Sequence, residues 1–566
     1  MIQSQQTVSA RDGSSRGPGW GAGGPPATSE ITAGGVDERL RRALWLAVCC
    51  LVLAMLAFVT RPGGIIADTK IDMAIDPVSF LRRALQLWDP AQFGQLQNQA
   101  VGYFFPMGPF FVAGKLLALP SWVVQRLWLT ALLIAAFLGT MRLSSRLGIG
   151  TPASRLAAGF GYALAPRALS LMGINSGEFL PAAMLPLILI PLVRLLQHGH
   201  EMNGRQKLGA AAQSAVAVAL CSGMNAASVI AMLALALIYV LTGQRCWSRW
   251  RVLAWWAPAV ALAALWWTVP LLLLAKYGVS ILPYSESAAI TTSVTSLSNT
   301  LRGTEDWTTY LAVNGMPWWP AGFRISTTAL PTILTGVTAA LGLGGLLGRR
   351  LPERRFLVAA LLIGLLIIGS GYLSGLGNPL AGVVDHVING PLAPLRNVRK
   401  FDPLIRLPLA LGLAQLLGSF RFVRVRKAAA LVAACGIAGL AIPASMNGLS
   451  ADGDFPAIPS YWVSATAWLD AHARNQAVLA VPGASFGEYI WGRPMDDVLE
   501  AMFAGDWAST QLASIASVGN TRLLDAVEQR IEAGQGSSGL TQVLAEMGVK
   551  YIVVRNDLLR GDLYGA

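Results

Sequence analysis

Charge is what this chain has least of. Only 13% of its 566 residues are Asp, Glu, Lys or Arg, about half the share found in a soluble globular domain. With a mean hydropathy of +0.52, that scarcity excludes an ordinary soluble enzyme and a disordered scaffold. Cysteine is also scarce. Cys49, Cys50, Cys221, Cys246 and Cys435 all precede the C-terminal polar region, so no disulfide framework or zinc-ligand spacing can be built there. The four histidines are His198, His200, His386 and His472. No two fall at ligand spacing on one outward-facing helix, and no metal site is expected. There is no P-loop and no dinucleotide glycine fingerprint, which argues against an enzyme driven by ATP or a nucleotide sugar and leaves no cofactor to expect. A repeat of fixed period is missing too, which excludes a solenoid.

What the chain does have is apolar residues, 54% of the total, gathered in long runs. The reading is an all-α polytopic membrane protein. The net charge of +13 comes from arginines beside the apolar runs rather than basic clusters interleaved with aromatics. That is a mark of membrane topology, and nucleic acid is not an expected partner. Residues 1–38, rich in Gly, Ser, Pro and Thr, read as a disordered cytoplasmic tail. Arg39, Arg41 and Arg42 precede the first apolar run and hold that end inside. A transmembrane domain is expected over 39–446, with a long outer loop at 61–121.

Parity fixes the topology. Further apolar runs lie near 122–140, 154–172, 178–196, 208–223, 225–242, 252–275, 328–347, 356–373, 403–419 and 428–446. If 104–120 lies flat on the outer surface, the loops bearing Arg142 and Arg146, Arg245 and Arg249, Arg349 and Arg350, and Arg424 and Arg426 all face the cytoplasm. About eleven transmembrane helices result, with the N-terminus inside and the C-terminus outside. Residues 447–566 alternate strand-like runs such as Ala477–Val481 with helical ones, and read as a small extracytoplasmic α/β domain.

Chemistry concentrates in the outer segments. In IIADTKIDMAIDP, Asp68, Asp72 and Asp76 recur at a spacing of four around Lys70. A helix there would put all three on one face; the alternative is a solvated loop, or Asp76 capping a helix that starts at Pro77. In LWDPAQFGQLQNQAVGYFF, Asp89, Gln97 and Asn98 stand among Trp88, Phe93 and Tyr103, a composition that suits a sugar; the alternative is a surface helix whose polar face meets water. In APLRNVRKFDP, Arg396, Arg399 and Lys400 place positive charge on the outer side, against the topological trend. A phosphate held by guanidinium forks would account for it, as would lipid head groups. Arg167, charged inside a helix, needs a partner, with Glu178 or a lipid phosphate the candidates. Glu305, Asp306 and Trp307, in GTEDW, are candidate acceptor contacts or solvated loop residues.

Four segments together carry a family likeness: ADTKIDMAIDP, LWDPAQFGQLQNQAVGYFFPMGPFF, PWWPAGF (317–323) and LRNVRKFDP. They resemble the actinobacterial α-(1→3)-arabinofuranosyltransferase family, within the GT-C class of membrane glycosyltransferases, over about residues 40–566. The resemblance implies a decaprenyl-phosphoryl-arabinose donor, an arabinan acceptor of the cell wall, and inverting transfer. It places Asp68 at the GT-C catalytic position just past the first helix, with Asp72 in the same motif. Arg396, Arg399 and Lys400 match the family's basic segment, and their role on the donor phosphate, with Arg167, is inferred. Family members continue well past the position of Ala566, so a short relative or an N-terminal fragment is expected. Two readings compete. One is a GT-C transferase for another polyprenyl-phosphate sugar such as mannose. The other is a non-catalytic scaffold or transporter, which the nearly uncharged helices at 122–140, 328–347 and 356–373 disfavour.

Overall fold

The computed structural model describes residues 33–96, 100–244, 247–278, 285–313, 316–375, 377–443, 445–446, 449–473, 475–510, 517–534 and 536–559. The proposed tail falls mostly outside them, as do Gln97, Asn98 and Cys246. The chain divides into two compact units, Met1–Cys50 and Leu51–Ala566. The described part of the first is the opening stretch of helix α1 (Ala33–Phe58); everything below concerns the second.

After α1 come two short helices, α2 (Ile71–Ile75) and α3 (Pro77–Ala84). The proposed single acidic face therefore does not form. Asp68 precedes α2, and Asp76 ends it with extended-side dihedrals (φ −132°, ψ 75°), because a residue before proline is pushed out of the helical region. Asp76 then stands as the cap of α3, with Pro77 as its first residue. Helix α4 (Met107–Leu116) covers ten residues, about 15 Å, half of what a bilayer core requires.

The helical body comprises α5 (Ser121–Arg146), α6 (Pro152–Ala163), α7 (Pro166–Leu171), α8 (Ser176–His198), α9 (Gly204–Ala219), α10 (Ala226–Thr242), α11 (Arg249–Tyr277), α12 (Ala329–Leu346), α13 (Arg354–Gly369), α14 (Pro403–Ser419) and α15 (Val423–Pro443). Each expected apolar run is helical, but the run at 154–172 is split, since Pro166 restarts the chain as α7 after an extended Ala165. Seven described helices, against about eleven expected, are long and apolar enough to cross a membrane by length and composition: α1, α5, α8, α11, α12, α14 with the turn before it, and α15. The others are shorter because prolines, glycines and capping asparagines cut them at their ends.

Their outward faces are apolar. Trp250, Leu262 and Leu272 of α11 are each more than 60% exposed, which marks a surface meant for hydrocarbon rather than water. The body packs through close backbone approach. A Cβ on Gly345 of α12 would lie 1.7 Å from the carbonyl oxygen of Gly412 in α14, so only glycine lets the two helices meet there.

The C-terminal segment holds strands β1 (Ala477–Val481), β2 (Gly487–Tyr489), β3 (Gly492–Met495), β4 (Trp507–Ala508) and β5 (Val549–Val554). β1 pairs in parallel with both β4 and β5, giving the order β4-β1-β5, while β2 and β3 pair antiparallel. Parallel pairing demands crossovers, and helices at Ser460–His472, Val518–Glu532 and Leu540–Glu546 alternate with the strands. This segment is stitched to the loop after α1: Ile65 and Phe455 exchange backbone hydrogen bonds of 2.8 and 3.1 Å.

Candidate active site

The loop from α1 to α2 is held by α5. Arg126, fully buried, donates to the carbonyls of Thr60 (2.8 Å), Arg61 (3.1 Å) and Gly64 (2.8 Å). These carbonyls belong to the turns just past the C-terminal end of α1, where a cation is favourable. Gln125 grips the backbone of Ile66 from both sides, accepting its N–H at 3.0 Å and donating to its carbonyl at 2.9 Å. Sequence reasoning missed both. Their signal was a Gln-Arg pair at the start of a long apolar run.

That grip presents Asp68. Its carboxylate accepts two hydrogen bonds of 2.5 Å from Ser176, one from the backbone N–H and one from Oγ. Ser176 opens α8, so the carboxylate sits on the positive end of a helix. Burial pushes the Asp68 carboxyl up to about 6, and the Ser176 hydrogen bonds and nearby Arg126 restrain the rise. A base with that affinity is poised for proton transfer near neutral pH.

Asp68 lines a pocket of about 360 Å³, within the range of small-molecule sites. Lys70, Tyr103, Asn175, Asn225, Trp318 and Trp319 also line it. The far wall comes from the C-terminal segment: Asp452, Asp454, Glu488, Arg493 and Asp496. Five carboxylates thus face two cations, with amides and indoles between, a lining with the groups to hydrogen-bond hydroxyls and to pack against an apolar ring face. Asn175 and Asn225 cap α8 and α10 with their side chains, which is why the turns before these two helices end on asparagine. The β2–β3 hairpin carries Glu488 and Arg493. Its two strands close so tightly that a Cβ on Gly487 would lie 1.9 Å from the Asp496 carbonyl oxygen. Asp496 follows the hairpin and accepts from Lys70 Nζ at 2.6 Å and from the Ile71 N–H at 3.0 Å, capping α2. Burial would lower the Lys70 affinity for its proton, but Asp496 and Glu500 hold it above the usual lysine range.

The other proposed residues lie elsewhere. Asp72 pairs with Arg83, which also reaches Asp89 at 3.5 Å; neither carboxylate lines the pocket. Both serve the partly buried Arg83 guanidinium instead. Arg167, Glu178, Asp306 and Arg399 form a buried ionic quartet: Arg167 pairs with Glu178 and Asp306, and Arg399 pairs with Asp306 and lies 3.6 Å from Glu178. Two guanidinium groups taken out of water need counterions. Arg167 and Arg399, expected on a phosphate, are therefore met by carboxylates of the chain itself. Burial works against the Asp306 charge, yet Arg399 and Arg167 hold that carboxyl down at about 2. The Arg399 guanidinium also sits 5.8 Å from the Trp307 ring, and Trp307 donates from Nε1 to Asn397 at 3.0 Å. Arg396 donates to Ser285. Lys400 makes no ion pair among the described residues and lines a small cavity with Arg167, Glu178, Asp402 and Arg406. Glu305 is fully buried with no hydrogen-bond partner for either oxygen among the described residues; burial, with Asp402 behind it, pushes that carboxyl well up. None of these residues lines the Asp68 pocket.

The two charge systems meet at one helix. Ser176 holds Asp68, and Glu178, two residues on, holds the quartet. Asn225 Nδ2 donates to Glu178 at 3.4 Å and lines the pocket.

A family profile described as alpha-(1->3)-arabinofuranosyltransferase, N-terminal GT-C domain, matches residues 52–564. An alpha-(1->3)-arabinofuranosyltransferase of Mycolicibacterium smegmatis is 39% identical over 525 residues, covering 89% of this chain and 36% of that protein. The protein of the same description from Mycobacterium tuberculosis is 38% identical, covering 91% of this chain and 38% of its own length. The cryo-EM structure of the arabinofuranosyltransferase AftD from mycobacteria superposes with a TM-score of 0.72 at 38% identity, over 91% of this chain and 35% of that one. The chain thus spans a little over a third of the length of the relatives it matches. It belongs to the α-(1→3)-arabinofuranosyltransferase family and corresponds to its N-terminal GT-C domain.

Proposed function

We propose that this chain is the transferase region of a membrane glycosyltransferase. It moves arabinofuranose from decaprenyl-phosphoryl-arabinose to a cell-wall arabinan, forming an α-(1→3) bond with inversion, at the outer face of the plasma membrane. The N-terminus lies in the cytoplasm, and residues 447–566 form an extracytoplasmic α/β domain. The carrying observation is Asp68, a buried carboxylate with proton affinity near 6, on a helix N-terminus and in the wall of a sugar-sized pocket.

Asp68 takes the proton from the acceptor hydroxyl as its oxygen attacks the anomeric carbon. The bond from that carbon to the phosphate oxygen breaks on the opposite face, through a transition state with oxocarbenium character, and the polyprenyl phosphate leaves. Trp318 and Trp319 pack on the sugar, and Asn175 and Asn225 orient its hydroxyls. Asp72, engaged by Arg83, supports the loop that carries Asp68. Of the basic segment, Lys400 has no ion pair among the described residues but lies in the small cavity behind Glu178 rather than in the Asp68 pocket, while Arg167 and Arg399 hold the pocket wall through Glu178.

The test is transfer by the purified chain, with synthetic lipid-linked arabinose and a short arabinoside acceptor, read by mass spectrometry. Arabinose should be added and Asp68→Asn should abolish it. A parallel reaction with polyprenyl-phosphoryl-mannose distinguishes donors; transfer of mannose alone would overturn the arabinose assignment.

A further inference from the structure

A second cavity, of about 990 Å³, lies between α1, α6 and α15, away from the Asp68 pocket. Leu53 and Leu56, Ala157 and Phe160, and Ala434 and Ile437 make its walls. Arg426, Lys427, Thr151 and Ser154 stand at one end. That end is remote from Asp68: α6 runs from Thr151 toward Arg167 and the quartet, and the chain beyond α15 reaches Gly173 beside the pocket, where a Cβ would lie 2.9 Å from the Leu449 carbonyl oxygen.

The polar end is uncompensated. Arg426 and Lys427 make no ion pair and no side-chain hydrogen bond among the described residues. They occupy the start of α15, which has no acidic residue in its first turn. A cation there adds to the positive end of the helix dipole instead of offsetting it. Helix α6 points its own N-terminus at the same place, and its Thr151 and Ser154 hydroxyls are taken up by a reciprocal capping box. Positive potential from two side chains and two helices therefore converges on a spot that no carboxylate lines among the described residues. From Arg426 to Ala441 the groove runs about 22 Å along α15, longer than one leaflet of hydrocarbon, about 15 Å. An apolar trough of that length with a cationic head matches one lipid of one leaflet.

We propose that this groove binds one anionic phospholipid. Its phosphate rests on Arg426 and Lys427, and an acyl chain lies along Phe160 and Ile437. Charge complementarity selects the occupant, since basic pockets between membrane helices capture anionic head groups.

The experiment reconstitutes the full chain in vesicles of equal phosphatidylglycerol and phosphatidylcholine, extracts it in mild detergent and counts retained lipid by native mass spectrometry. One phosphatidylglycerol per chain is expected. Each cation contributes about five-fold to retention, so Arg426→Ala/Lys427→Ala lowers it roughly twenty-five-fold. Ala434→Trp fills the groove from an exposed position with no change in charge, and should also release the lipid. Arg424→Ala, a cation that does not line the groove, should retain it. Equal retention of the two lipids, or phosphatidylglycerol kept by both groove variants, overturns the proposal. So does a lipid-free dimer, which would make a second copy the occupant.

Discussion

Replacing Asp68 with Asn separates chemistry from architecture. Asp68 and Asn have the same shape, so Oδ1 can still accept the Ser176 N–H that Asp68 accepts at 2.5 Å. The carboxyl is raised from 3.8 to about 6 by burial. Folding therefore favours its protonated form, and ionising it costs the folded state about 3 kcal/mol at neutral pH. That contribution to stability is most favourable below about pH 4 and is lost as pH rises through about 6. An amide has no such cost, which offsets the weaker hydrogen bonds it makes, so thermal unfolding of the variant should stay within a few degrees of wild type. Catalysis should not survive. A positioned base contributes about 10²–10⁴-fold, and Asn cannot accept the proton. In the unsubstituted chain, the ionised fraction at a midpoint of about 6 falls from roughly 91% at pH 7 to roughly 9% at pH 5, so kcat/KM should fall about ten-fold. A carboxyl at its ordinary value would change by less than about 10% over that window. The assay is initial-rate arabinose transfer from lipid donor to a short arabinoside between pH 5 and 8. Turnover by Asp68→Asn within three-fold of wild type, or a flat profile from pH 5 to 7, would refute the assignment.

Trp318, half-buried in the pocket wall, should act through binding: Trp318→Ala should raise the acceptor KM about ten-fold with kcat within two-fold, the pattern of lost uniform binding. Arg399→Met leaves Asp306 and Glu178 with Arg167 alone and should cost about 3–5 kcal/mol. Adding Asp306→Asn should give a loss smaller than the sum by about 0.5–3 kcal/mol, measured by thermal unfolding in detergent. Gly345→Ala, with its Cβ 1.7 Å from a backbone oxygen, should destabilise by about 1–3 kcal/mol, whereas Gly336→Ala, which meets nothing within 4 Å, should be silent; equal melting temperatures would contradict the close crossing of α12 and α14.

The helices were legible because apolar runs need no partner to declare themselves: each run from 122–140 onward is largely helical, the one at 154–172 as two helices. Their ends were less so, since Pro166 and the asparagine caps act through local backbone geometry that hydropathy smooths over. Asp68 was legible from its place just past α1. The grouping with Asp72 and Asp76 failed because a period of four presumes one helix over 68–76, whereas α2 begins only at Ile71 and Pro77 takes Asp76 out of it. The basic segment was visible, but its partners were not. Arg399 is 93 residues from Asp306, and Arg167 is 139 from the same carboxylate, so only tertiary folding reveals that the positive charge is answered internally. The pocket wall formed by Glu488, Arg493 and Asp496 was hidden for the same reason, more than 400 residues from Lys70 in the case of Asp496.

The first turn of α8 explains why these distant charges belong to one site. Residues two apart on a helix face different ways, so Ser176 can hold Asp68 toward the pocket while Glu178 turns toward Arg167 and Arg399. The quartet sums to zero charge, and Arg126 is the one cation that restrains the rise at Asp68. Its contribution is thus mechanical rather than electrostatic. It pins the start of α8 from behind, and through Asn225, which bonds Glu178 and lines the pocket, the cap of α10 as well. A carboxylate whose proton affinity depends on two 2.5 Å hydrogen bonds from one serine needs that serine fixed. Four buried charges locked to one another fix it more firmly than apolar packing alone, because shifting any one of them would leave a buried charge unpaired.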